Sequence, residues 1–343
     1  MTTETTETAE AGTTRAAAGE AALEIAGSRA ASTGTVRVPA AVLVVQHEEE
    51  AGAGLVGERL ARNGLRLDVV RVWEGEALPA DLGGHAGLLV LGGSVNCEDD
   101  EAAPWLPGVR ALVREAVTEE IPLLGICLGG QIVAHALGGS VTSRPQGPEL
   151  GAVPLRRLPA ATEDPVLGAV PEGALAAQWH WDDVDRLPPG AVPLLTGEDC
   201  RYQAFRVGSA CWAVQFHPEA GGNTVAEWAA EDGERLRESG TDPAALVTAV
   251  RDAEPGLRTV WGEVAEAWGT VVRAHADARP RRRRLTLDVP ADRVRLIAAV
   301  GPGPVDEPRE EETGQRDGGP RPHLSGECLP GASAWPGGGG GVA

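Results

Sequence analysis

Three short, unbroken apolar runs constrain this chain most: AVLVVQ at 41–46, GLLVL at 87–91 and PLLGI at 122–126. Each is short for a buried helix and shows no polar alternation, so each suits a strand covered on both faces, as strands of parallel sheets are. Helix-length stretches lie between them. Residues 51–63 place Leu55, Val56, Leu60 and Ala61 on one stripe, and residues 107–118 do the same with Val109, Leu112, Val113 and Val117. Further on, QAFRV and CWAVQF flank Gly208-Ser209 and read as a β-hairpin, while residues 243–274 read as two closing helices. Strands alternating with helices predict an α/β fold with a doubly wound, mostly parallel sheet, whose ligand site lies at the carboxyl ends of the strands.

Composition divides the 343 residues. Residues 1–39 are low-complexity (TTETTETAEAGTT) and residues 276–343 are rich in Arg, Pro and Gly, so both are expected to be disordered tails around a domain at 40–275. The Arg281–Arg284 run reads as a solvated charge cluster, and Leu285–Val300 has enough apolar periodicity for one extra strand or helix. The net charge is −20, and the middle segment holds 35 acids against 17 Arg. A surface that acidic repels phosphate backbones, so nucleic acid is not an expected partner. No lysine occurs anywhere, which removes Schiff-base chemistry and a phosphate-loop lysine. Five cysteines without a CxxC pair argue against a disulfide scaffold and against a closed metal site. Neither a secretory signal nor an 18-residue apolar run is present, so a cytoplasmic protein away from membranes is expected.

The stretch PLLGICLGGQIVAHALGG, 122–139, carries the chemistry. An apolar strand runs through Gly125-Ile126 into Cys127, and a helix follows, the layout of a nucleophile elbow with Cys in place of Ser. A nucleophile at such a tip takes strained backbone, so its neighbours at 125 and 129 must lack bulk. The helix start places a positive dipole end near the sulfur, which favours thiolate. The N–H of Leu128 then points where an oxyanion would form. The other cysteines read as buried small hydrophobes.

A thiolate of this kind needs a base and an orienter. Among seven histidines, His217 stands out because it closes the apolar run WAVQF and is followed by Pro218-Glu219. In extended backbone His217 and Glu219 would share a face, letting the carboxylate fix the imidazole tautomer. His135, on the elbow helix, reads as a packed or partly exposed helix residue. His180, in QWHWDD, reads as a loop residue able to line a pocket. Gly92-Gly93 could turn a second backbone N–H toward an oxyanion, or form a simple turn.

LGGSVN at 91–96, GICLGGQ at 125–131, QWHWDDV at 178–184 and QFHPE at 215–219 together resemble the class I, triad-type glutamine amidotransferase family. The resemblance covers about residues 40–235. It implies a flavodoxin-like sheet, Cys127 as nucleophile, His217 as base and Glu219 as orienter. It also implies Gly93 and Leu128 at the oxyanion hole, with Gln131 and His180 near a bound L-glutamine. No metal or organic cofactor is implied. Ammonia would pass to a separate synthase partner, since no pyrophosphatase or phosphate loop follows residue 235. A γ-glutamyl peptidase or hydrolase acting alone, and a glutamine-sensing module without catalysis, are the competing readings. Trp179 and Trp181 flank His180, where the family pattern is less crowded, and bear on which γ-glutamyl compound fits.

Overall fold

A computed structural model describes residues 39–279. The expected tails, the Arg281–Arg284 run and the Leu285–Val300 segment lie almost wholly or wholly outside the described residues.

The chain opens with β1 (Ala41–Gln46), α1 (Gly54–Arg62), β2 (Arg66–Arg71), β3 (Gly87–Val90), α2 (Leu106–Thr118), β4 (Leu123–Ile126) and α3 (Leu128–Ala136). Six strands come next: β5 (Ser140–Ser143), β6 (Glu149–Pro154), β7 (Arg156–Arg157), β8 (Leu175–His180), β9 (Asp182–Arg186) and β10 (Val192–Thr196). The hairpin β11 (Ala204–Val207) and β12 (Cys211–Val214) leads to α4 (Gly222–Glu231), α5 (Gly233–Glu238) and α6 (Pro243–Ala278).

Eight strands form the main sheet in the order β2-β1-β3-β4-β12-β11-β10-β7. From β2 through β12 all pairings are parallel, and β11, β10 and β7 extend the sheet antiparallel. The chain moves one way from β1 to β2 and the other way from β1 to β3, the topological switch point of doubly wound folds. Two two-stranded sheets, β5–β9 and β6–β8, stand beside it.

The apolar runs do what their lack of alternation requires. Val42, Val44, Leu89 and Leu124 face one layer, which includes Leu60, Trp261 and Trp268, while Leu43, Val45, Leu88 and Leu123 face another, which includes Val109, Leu112 and Val133. Strand residues therefore alternate between two buried faces, each side chain contributing roughly 1.5–3 kcal/mol. The hairpin forms as expected, with Val207 opposite Cys211 and Gly208 at φ +60° in its loop.

The carboxyl-terminal segment departs from expectation. Residues 243–278 make one continuous helix of 36 residues, not two, although Pro255 lies within it. Val250, Leu257, Trp261, Val264, Trp268 and Val272 fall on one buried stripe that continues across the proline. Burial of that stripe outweighs the single backbone bond that proline removes.

Candidate active site

Gly92-Gly93, Cys127 and the segment 215–219 all follow the carboxyl ends of adjacent strands, β3, β4 and β12. Parallel pairing of Val214 with Ile126 sets β12 beside the elbow, and the Cys127 N–H donates to the Val214 carbonyl at 2.8 Å. Cys127 itself has φ +48° and ψ −107°, one of two non-glycine residues at positive φ among those described. Such backbone costs about 1–3 kcal/mol and persists only where neighbours hold it. Here the neighbour is backbone: a Cβ on Gly129 would collide with the Val90 carbonyl oxygen, so only glycine lets α3 start there. Helix α3 begins at Leu128, directly after the sulfur-bearing residue.

The pairing of His217 with Glu219 is observed, but not through extended backbone. Strand β12 ends at Val214, and residues 217–220 form a turn closed by the Ala220 N–H on the His217 carbonyl at 3.3 Å. Two contacts with other elements fix that turn. The His217 N–H donates to the Ala177 carbonyl at 2.8 Å, and the Leu55 N–H donates to the Glu219 carbonyl at 3.0 Å. Gly54, at φ +41°, allows that approach, since its Cβ would overlap the same oxygen. Within the turn, His217 Nδ1–H donates to Glu219 Oε1 at 2.7 Å, with both side chains buried. The other ring nitrogen, Nε2, is buried without a hydrogen-bond partner. Burial alone would lower the His217 pKa, but the charges of Glu219 and Cys127 outweigh it and hold the imidazole well above 6.5. Trp228 of α4 covers the ring at 4.7 Å between centroids.

Gly92 packs against the His217 ring, and Gly93 against His47 and Leu128. A Cβ on Gly92 would meet His217 Cε1 at 3.1 Å, and one on Gly93 would meet His47 Cβ at 2.9 Å. Neither the Gly93 nor the Leu128 N–H donates to another backbone carbonyl outside the regular elements. Gln131 is buried on α3 and donates through Nε2 to the Asp182 carbonyl at 3.0 Å and to Gln215 Oε1 at 3.3 Å.

His180 is the last residue of strand β8, not a loop residue. Its register opposite Glu149 on β6 gives an Nε2–Oε2 contact of 2.9 Å, and Nδ1 lies 3.1 Å from both the Asp182 carbonyl and Asp183 Oδ1. Both nitrogens face acceptors, so the ring is an imidazolium. Burial would lower its pKa, yet hydrogen bonds to Asp183 and Glu149 and the charge of Cys127 raise it to about 9. Arg144 pairs with Asp183 in turn. Glu149, His180 and Cys200 bring three donor atoms within 4.8 Å of one another. With Nε2 spent on Glu149, which also accepts from Gln203 Nε2 at 2.7 Å, the trio is accounted for as a hydrogen-bond network. His135 is half-buried on α3 and pairs with Glu98 at 3.0 Å.

Cys127, His217, Gly93, Gln131 and His180 all line one cavity of about 190 Å³. Trp179, Trp181, Trp228, Glu231, Asp232 and Arg235 line it as well. Arg235 lies over the Trp181 ring at 4.5 Å, and Asp232 accepts from Trp179 Nε1 at 2.9 Å. Gln215 reaches Cys127, Nε2 to Sγ 3.6 Å. Its role was legible in principle, because QFHPE contains it. Trp228, Asp232 and Arg235 carry no local signal and enter only through the docking of α4 and α5.

An elbow cysteine at the centre of a doubly wound sheet, with a histidine–carboxylate pair beyond the neighbouring strand end, defines a class of α/β domain. The family model for glutamine amidotransferase class-I matches residues 54–229, and the chain belongs to that family. It is 29% identical over 178 residues to the glutamine amidotransferase-like protein YfeJ of Salmonella typhimurium, covering 51% of this chain and 74% of that one. It is 32% identical over 152 residues to a glutamine-hydrolyzing GMP synthase subunit of Thermoplasma volcanium, covering 43% of this chain and 71% of the relative. Against the glutamine-hydrolyzing GMP synthase of Porphyromonas gingivalis the identity is 35%, over 41% of this chain but only 26% of that protein. Among solved structures, a glutamine amidotransferase from Thermotoga maritima superposes with a TM-score of 0.61 at 28% identity, covering 67% of this chain and 98% of the other. One from Methylobacillus flagellatus gives 0.60 at 30% identity, covering 68% and 95%.

Proposed function

We propose that this domain is a glutaminase that hydrolyses the side-chain amide of L-glutamine through a Cys127 thioester. The observation that carries the reading is the divided imidazole of His217: Nδ1 is locked to Glu219 at 2.7 Å, and Nε2 is buried without a geometric hydrogen-bond partner. The ring lines the same cavity as Cys127 and, against the pull of burial, has its pKa raised by Glu219 and Cys127. A base held in one tautomer by a carboxylate, with its free nitrogen turned to a thiol, is what thiolate chemistry requires.

In this reading the Cys127 thiolate attacks the amide carbon and the C–N bond breaks. His217 gives its proton to the departing ammonia, leaving a γ-glutamyl thioester. Water, deprotonated by His217, then cleaves the C–S bond to give glutamate and restore the Cys127 thiolate beside a protonated His217. The N–H groups of Gly93 and Leu128 hold the oxyanion, each worth about 3–4 kcal/mol of barrier in comparable sites. Gln131 and His180 shape the wall behind the substrate. The ammonia passes to a separate acceptor enzyme, a reading supported by the relative named as a subunit of a glutamine-hydrolyzing synthase.

The test is ammonia and glutamate release from L-glutamine, with hydroxylamine added to trap the thioester as the γ-glutamyl hydroxamate. Wild-type protein is expected to yield hydroxamate, and Cys127→Ala none. Hydrolysis that survives Cys127→Ala would sink the thioester.

A further inference from the structure

Two buried amides meet beside Cys127. Gln131 on α3 and Gln215, just past the end of β12, are 5% and 3% exposed. Gln131 Nε2 donates to the Asp182 carbonyl at 3.0 Å and to Gln215 Oε1 at 3.3 Å. Gln215 Nε2 in turn stands 3.6 Å from Cys127 Sγ, within reach of a hydrogen bond to sulfur.

The direction of this chain follows from its far end. An amide side chain can be turned over, exchanging donor for acceptor, so its orientation is argued from its partners. The Asp182 carbonyl is backbone and can only accept, and it also faces His180 Nδ1 at 3.1 Å. Turning Gln131 over would press its oxygen against that carbonyl, acceptor to acceptor. Its nitrogen therefore stays there, and both of its N–H bonds are spent on Asp182 and Gln215. Gln215 must then present Oε1 to Gln131, which leaves its nitrogen facing the sulfur. The backbone of Gln215 is held as well, its N–H donating to the Gln203 carbonyl at 2.9 Å. A sulfur that faces an N–H donor is favoured as thiolate over thiol, because an ionised acceptor makes the stronger hydrogen bond.

We propose that Gln215 is a further catalytic residue, its amide donating to the Cys127 sulfur and favouring the thiolate, and that Gln131 is the residue that positions it. For its part in turnover the proposal rests on the thioester reading, while the state of the sulfur can be read without turnover. Gln131 lines the cavity, yet with both N–H bonds engaged it acts through Gln215 and donates nothing to the substrate. Gln215 lies two residues before His217, so one strand end supplies both the donor to the sulfur and the imidazole.

The experiment follows alkylation of Cys127 by iodoacetamide against pH in the full chain, read by mass at the peptide that carries it, beside glutamine turnover. Gln215→Met removes the donor at nearly constant length. It is expected to slow alkylation at neutral pH about tenfold, to move the profile toward alkali by about one pH unit, and to lower kcat more than it raises KM. Gln215→Glu keeps the shape of the amide but faces the sulfur with an acceptor, so it should move the profile the same way and carries the test if the methionine variant does not fold. Gln131→Leu should move the profile less, and should add less than about twofold in Gln215→Met protein, where its path to the sulfur is already cut. A displaced profile in a set of proteins that do not hydrolyse glutamine, wild type included, would support the donor and overturn the thioester reading. An unmoved profile in the Gln215 variants would overturn the donor, whatever the turnover. Gln131→Leu raising KM alone, with its effect undiminished in Gln215→Met protein, would overturn the positioning role.

Discussion

The imidazole of His217 and the carboxylate of Glu219 meet at 2.7 Å inside a turn whose anchors are backbone from other elements: β8 holds His217, and the start of α1 holds Glu219. The pair is thus positioned by the sheet and not by its own loop. That is why an imidazole two residues from its carboxylate partner can remain buried with one nitrogen free.

Glu219→Gln tests what the charge contributes. The amide preserves the shape of the turn but removes the charge that offsets burial of the ring, so the His217 pKa should fall below its present raised value. Turnover of glutamine is expected to drop by about 10²-fold or more, with the thermal melt little changed. A loss of less than about threefold in kcat would remove Glu219 from the proposed triad.

Stability should peak near pH 6.5 and fall on both sides. His180 is raised to about 9, so the folded state binds more protons than the unfolded one above pH 6.5. Its contribution is complete below pH 6.5 and is lost as pH rises to about 9, at most about 3 kcal/mol, and His217 acts in the same direction. His47 is lowered to about 4 by burial, so it destabilises the fold as pH falls from 6.5 toward 4. Melting temperature measured against pH should show both limbs. His180→Gln should flatten the alkaline one, and an unchanged alkaline slope in that variant would contradict the assignment.

Gly129→Ala is expected to be among the most damaging single-methyl additions in the domain. The added carbon collides with the Val90 carbonyl oxygen and stands 2.7 Å from its carbon, both backbone of a central strand, so nothing nearby can swing aside. A loss on the order of 4 kcal/mol is expected in urea unfolding, with soluble yield falling alongside.

Pro255→Ala should stabilise. The proline is exposed on α6 and denies one backbone bond to a helix that already runs through it. Restoring the N–H is expected to add about 1–3 kcal/mol, seen as a higher melting temperature with no change in glutamine turnover. An unaltered or lower melting temperature would contradict a cost of Pro255 to the helix.

Whatever depends on near neighbours is legible in the chain itself. Unbroken runs such as Ala41–Gln46 specify strands covered on both faces, and Gly125 to Gly130 specify an elbow, because a turn that tight admits only small residues at those places. QFHPE points to the base and its partner because they lie two residues apart. The two-helix expectation for residues 243–274 fails at Pro255: local propensity argues for a break, and only the buried stripe from Val250 to Val272 overrides it. His180 is legible as a pocket residue but not as an imidazolium, since its state follows from cross-strand register with Glu149, 31 positions away. The charged and aromatic wall of Trp228, Asp232 and Arg235 follows from packing alone. Those side chains line the cavity of Cys127 only because α4 and α5 dock beside the strand ends. The difference is one of range: backbone geometry fixes what stands within about a turn of a residue, while burial and register choose its distant partners.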